Sequence, residues 1–131
     1  MRRAHLTVGL LGVIAFLITG QVMGHHNPSV KSLMPDVRMM YVSRHIYLLG
    51  AALVNLVLGL YMQGQPAGWR GLLQKFGSLL ILLSPLLVLM AFIVEPGLGM
   101  AGRGWRSLFG MVALFAGVMS HFAASLWSKA N

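Results

Sequence analysis

Four apolar runs, each close to the length of a membrane crossing, leave this chain little choice of fold. They cover residues 6–24, 44–62, 74–94 and 105–127, with short polar connections between them. A helix rises about 1.5 Å per residue, so roughly 20 apolar residues cross the ~30 Å hydrocarbon layer. Backbone polar groups in lipid must pair within their own segment, which favours helices over irregular chain. Composition agrees. Hydrophobic residues make up 57% of the chain and charged residues 9%, against roughly 25% charged in a soluble domain. Too few charges remain to cover a water-facing surface. The expected fold is all-α and integral to the membrane: a single domain over residues 1–131, with four transmembrane helices in an up-down bundle and the lipid bilayer as its surroundings.

The connections carry the turn and interface signals. Asn27-Pro28 and Pro35 break regular structure in the longest one. Pro35-Asp36 suits the first turn of a helix, because proline lacks an N–H that would be unpaired there and aspartate favours the positive end. The second helix is therefore expected to start near Pro35, outside the lipid. The second connection, 63–71, is built on Gly64, Pro66 and Gly68, with Trp69 and Arg70 as interface anchors. Ser84-Pro85 sits in the middle of the third run, and Glu95-Pro96 is expected to end it. The third connection, 97–104, contains G-x-G-x-x-G at Gly97, Gly99 and Gly102. That motif binds dinucleotides only after a strand and within a βαβ unit, so here it reads as a glycine-rich turn. Trp105 and Trp127 bracket the fourth run. Arg2-Arg3 before an apolar run, followed by Val22-Met23-Gly24, also resembles a cleavable signal peptide. The run exceeds the usual ~7–15 residue core, which favours a retained first span.

The net charge of +8 does not mark a nucleic-acid binder. Its basic residues sit between apolar runs, where they anchor helices against anionic headgroups, and form no stripe on one soluble face. Arg2, Arg3, Arg70, Lys75 and Lys129 fall on one side of the membrane. Lys31, Arg38, Arg44, Arg103 and Arg106 fall on the other, and this even split gives the positive-inside rule no purchase. A short basic head before the first span favours cytoplasmic N- and C-termini in a bacterial-type inner membrane. The two acids, Asp36 and Glu95, both fall at the end of the bundle that carries residues 25–45, and interfacial ion pairing is their expected role. Nothing places them together as a hydrolase would need.

Chemistry in such a chain falls to histidine and methionine, because cysteine is absent. At about 100° per residue the histidines lie on small-residue faces. His5, Gly12, Thr19 and His26 share one face of the first helix. His45, Ala52, Leu56 and Gly59 share one of the second, and Gly110, Gly117 and His121 one of the fourth. Such faces normally look into the bundle, and ionisable groups there are functional candidates by default. Depth then sorts them into two candidate pairs at opposite ends, His26/His45 and His5/His121. Paired imidazoles across a bundle are what a b-type haem needs as axial ligands, with the glycines leaving room for a flat macrocycle. The architecture broadly resembles the four-helix b-type membrane cytochromes. A copper site is the second candidate, with His25, His26, Met34 and His45 as ligands, because thioether and imidazole suit Cu(I). The ordinary alternatives are a solvated His5, loop histidines at 25 and 26, a His45 bonded to Tyr41 or a headgroup, and a His121 bonded to a serine or carbonyl of a neighbouring helix.

The length and span number also resemble the small multidrug-resistance transporters. Those rely on a glutamate in the first span, and this first span contains no acid. Weighed together, the sequence points first to a non-enzymatic accessory or interaction protein. It would pack against a membrane-protein partner or a second copy of itself, with haem electron transfer and copper handling as the alternatives.

Overall fold

The computed structural model describes residues 1–62, 68–99 and 104–126. Four helices account for nearly all of them: α1 (Arg2–Gly24), α2 (Pro35–Tyr61), α3 (Trp69–Leu98) and α4 (Trp105–Leu126). Each is long and apolar enough to cross a membrane. A short 3₁₀ turn, Val30–Ser32, lies between α1 and α2. No strand occurs among the described residues.

The helix limits refine the sequence expectations. α2 starts at Pro35 with Asp36 in its first turn, as its capping chemistry dictates. α1 begins at Arg2, earlier than residue 6. Arginine and alanine are good helix formers, and Arg2 Nε donates to the Gly59 carbonyl at 3.0 Å, fastening this first turn to α2. His5 thus belongs to the helix and is fully buried, not part of a solvated head. α1 stops at Gly24, so His26 does not continue its glycine face. α3 does not end at Glu95-Pro96. It runs to Leu98 with Pro85 and Pro96 inside it, because proline removes an N–H while its fixed φ remains helical. Residues 63–67 of the second connection, residues 100–103 of the third, Trp127 and Lys129 lie outside the described residues.

The bundle is two hairpins joined at a seam. α1 packs on α2 and α4 packs on α3, while α2 against α3 joins the pairs. Most of the fully buried apolar side chains belong to the two seam helices: Leu48, Ala51 and Ala52 from α2, Ile81, Val88 and Ala91 from α3, with Ala124 from α4. Leucines and phenylalanines such as Leu10, Leu17, Phe109 and Phe115 point outward, as lipid-facing residues should.

Glycine sets the spacing within each hairpin. A Cβ added at Gly12 would meet Ala52 Cβ at 2.7 Å, and one at Gly59 would meet the Leu6 backbone nitrogen at 2.7 Å. Between α3 and α4, a Cβ at Gly77 would meet the Gly117 carbonyl oxygen at 2.8 Å. These faces let backbones touch, which is how helices associate where lipid is as apolar as leucine. They are contact surfaces, and the room for a macrocycle expected beside them is filled by the neighbouring helix.

Candidate functional site

Pro85 creates the central polar feature. Without an N–H it leaves the carbonyl of Ile81, four residues earlier, with no helical partner. An unpaired carbonyl in a membrane bundle is costly. Asn55 on α2 fills the gap: its Nδ2 donates to Ile81 O at 3.0 Å and to its own helix at Ala51 O, 2.9 Å. Both amide hydrogens are then committed, so Oδ1 must accept. It faces His5 Nδ1 of α1 at 2.8 Å, and the imidazole is therefore the Nδ1–H donor. The other ring nitrogen, Nε2, is buried with no hydrogen-bond partner among the described residues.

The same layer continues across α3 to α4. Ser78 Oγ, one turn from Ile81, lies 3.0 Å from His121 Nε2 and 3.8 Å from Met62 Sδ at the end of α2. Each helix thus places one polar side chain towards the proximal end of the bundle, the end where the chain starts, as two bonded pairs, His5–Asn55 and Ser78–His121. Deeper in, Ser84 Oγ donates to Gly110 O at 2.8 Å and ties α3 to α4 again.

The distal end, where residues 25–34 turn, is built differently. Thr19 Oγ1 donates to Phe16 O at 2.9 Å and accepts from His45 Nδ1 at 2.9 Å. The His45 ring lies flat on Phe16, with centroids 4.0 Å apart. His26 Nδ1 donates to Pro28 O at 2.7 Å, and its Nε2 accepts from the Tyr41 hydroxyl at 3.3 Å. His25 Nδ1 donates to Gln21 O at 2.9 Å. Arg44 Nε donates to Glu95 Oε2 at 2.8 Å, and Glu95 is 1% exposed. The second oxygen of Glu95 accepts from the backbone N–H of Ser107 at 3.0 Å. That carboxylate closes the positive end of α4 from a different helix. The pair expected as an exposed interfacial contact is a buried junction of α2, α3 and α4. Asp36 stays in the first turn of α2.

His5 and His121 lie at one end of the bundle and His26 and His45 at the other, each with its own partner. His26 and His45 each have separate partners: His26 bonds Tyr41, while His45 bonds Thr19 in place of the Tyr41 or headgroup contact expected for it. His121 takes the ordinary role of bonding a serine, Ser78. No group of three or more histidine or acidic side chains suited to a metal ion occurs among the described residues, so His25, His26 and His45 do not gather. Met34 is 69% exposed. The glycine faces expected to frame a macrocycle are closed by the neighbouring helix at Gly9, Gly12, Gly59 and Gly77. Asn55, Ser78 and Met62 escaped the sequence reading, which named Thr19 and Ser84 without giving them a partner. The signal for Asn55 was present, as an amide in an apolar run with a mid-span proline elsewhere in the chain.

Comparison with known protein families, with curated proteins and with solved structures finds no match.

Proposed function

We propose that this is a non-enzymatic accessory or interaction protein of a bacterial-type inner membrane, with both termini cytoplasmic. The observation that carries the reading is how the spans use their polar groups. His45, Asn55, Ser84 and Glu95 bond adjoining helices, which fixes the bundle as a scaffold. What it offers sideways is apolar. A groove of about 330 Å³ between α1, α2 and α3, lined by Val8, Leu11, Gly12, Ala15, Pro85 and Leu86 among others, opens at mid-depth. Its small residues suit the close approach of another membrane helix, from a second copy or a different membrane protein.

A photocrosslinking residue at Leu11 or Leu86 tests this in native membranes. Protein adducts are expected there and not from Phe115 on the far face. Adducts with lipid alone at all three positions would refute the reading. A reporter fused after Asn131 tests orientation, with a cytoplasmic signal expected.

A b-type haem carrier is the second reading, supported by one feature. His5 has its Nδ1 held by Asn55 and its Nε2 free, the posture of an axial imidazole. The filled glycine faces weigh against it. Protein purified in detergent from haem-replete cells is expected to be colourless. A Soret band that shifts on dithionite reduction and disappears in His5→Ala would replace the accessory reading with this one.

A further inference from the structure

The bundle leaves a slot on its α2–α4 flank. Both helices pack on α3 and scarcely touch each other. Between their last turns lies a cavity of about 280 Å³, lined by Val54, Val57, Leu58, Ile81, Val118 and His121. Ile81 is fully buried, while Val57 and Val118 are exposed and open the cavity to the bilayer. His121 is the one polar side chain of this lining, and none of the lining is acidic or basic apart from its imidazole. α3 orients that ring. Its Nε2 lies 3.0 Å from Ser78 Oγ, and its Cδ2 lies 3.2 Å from where a Cβ on Gly77 would stand. The Cδ2–Nε2 edge therefore faces α3, and Nδ1 is the ring atom turned away from it.

We propose that this slot holds the head of a lipid-soluble quinone, with a ring oxygen on His121 Nδ1. Entry is from the bilayer, so the guest is largely apolar. A charged headgroup would find no counter-charge in the lining, so the guest is neutral. The volume is at the small end for a ligand pocket, enough for one ring and not for a pair of acyl chains. Hydrogen bonding narrows the class further. Ser78 has one hydroxyl proton and two acceptors within reach, His121 Nε2 at 3.0 Å and Met62 Sδ at 3.8 Å. Directed at His121, that proton leaves the imidazole as Nδ1–H, a donor for a carbonyl. Directed at Met62, it lets the serine oxygen accept from Nε2–H and leaves Nδ1 as an acceptor for a hydroxyl. One ring nitrogen can thus meet either a carbonyl or a phenolic hydroxyl at the same place, which are the oxygen groups of a quinone and of its quinol. The slot is separate from the groove between α1 and α3, and the proposal does not depend on the accessory reading.

The test uses the full chain in lipid nanodiscs with decyl-ubiquinone as the probe, first oxidised and then reduced. Both forms are expected to bind. The Nδ1 resonance of His121 should move with each, to different positions, in the unmodified protein, a readout that survives if a variant folds poorly. His121→Phe keeps the ring bulk and should weaken both forms by about 5- to 10-fold, the worth of one hydrogen bond. Val118→Phe should fill the slot and abolish binding, and Phe109→Leu should leave it unchanged. An azido-quinone should label the chain beside Val57 and Val118. An unmoved resonance, affinity retained in both His121→Phe and Val118→Phe, or labelling confined to the α1–α3 groove would each overturn the proposal. Displacement by decanol as effective as by the quinone would also overturn it, by showing a pocket for any small alcohol.

Discussion

At the distal end Arg44 and Glu95 meet as full charges and close on each other and on the start of α4. At the proximal end the amide of Asn55 and the hydroxyl of Ser78 do the bridging, and His5 Nε2 has no hydrogen-bond partner among the described residues. Both ends lie in a molecule built largely to face hydrocarbon, yet they answer its demands differently. A buried charge is tolerated only when opposite charge and further hydrogen bonds surround it, and Glu95 has both. A neutral amide such as Asn55 can bridge helices without that enclosure. The difference separates a clamp of paired charges from a layer of uncharged bridges in which one ring nitrogen stays without a hydrogen-bond partner among the described residues.

Breaking the clamp should have the largest effect. Glu95→Ala leaves Arg44 unpaired and the first turn of α4 open, and should cost about 3–5 kcal/mol in unfolding titrations followed by circular dichroism in detergent. Replacing both partners, as Arg44→Met with Glu95→Leu, should recover most of that loss. If the double change were as damaging as the single one, the clamp would owe its effect to something other than a stranded charge.

Next comes the neutral layer. Asn55→Leu strands the Ile81 carbonyl and the His5 N–H, for an expected loss of about 1–3 kcal/mol. The same change made on top of Pro85→Ala should cost less, because residue 85 then supplies the N–H that Ile81 lacks. A coupling of roughly 0.5–3 kcal/mol in that double-mutant cycle would tie the amide to the proline. Additivity would break the link.

Gly104→Ala probes how tightly the clamp is closed. A Cβ there would lie 2.5 Å from Arg44 Nη2 and 2.6 Å from Ser107 Oγ, so a methyl must push the pair apart. Overpacking of this kind costs about 1–3 kcal/mol, and the lower half is expected because the arginine tip is flexible. The smallest effect belongs to His45→Phe, which keeps the stack on Phe16 and removes the bond to Thr19. Interhelical hydrogen bonds in lipid contribute about 0.6 kcal/mol on average and ~1.7 at most, so the melting temperature should barely move. A large drop would show that the distal histidine does more than brace α1 against α2.

Much of this was legible in the chain. Apolar length located the four spans, and the Pro35-Asp36 signature placed the start of α2. Small-residue faces correctly turned His45 and His121 inward. The purpose of those faces was not legible, since glycine at helical spacing can frame a cleft or let two backbones touch. Only the position of Ala52 over Gly12, or of Gly117 over Gly77, decides between them. The start of α1 was placed too late because two arginines look like a solvated head, whereas they extend α1 and carry His5, already on its small-residue face, inside. Ile81 can be counted back from Pro85. That Asn55, 26 residues earlier, would meet it depends on how α2 and α3 register, which periodicity does not specify.

The proline-made gap in α3 also bears on biogenesis. A third span entering lipid alone would carry a bare carbonyl at its centre. Synthesis from the N-terminus avoids this, because the span bearing Asn55 emerges first and can wait at the translocon exit for its neighbour. The order of segments in the gene is thus also a workable order of insertion, with the second helix chaperoning the third.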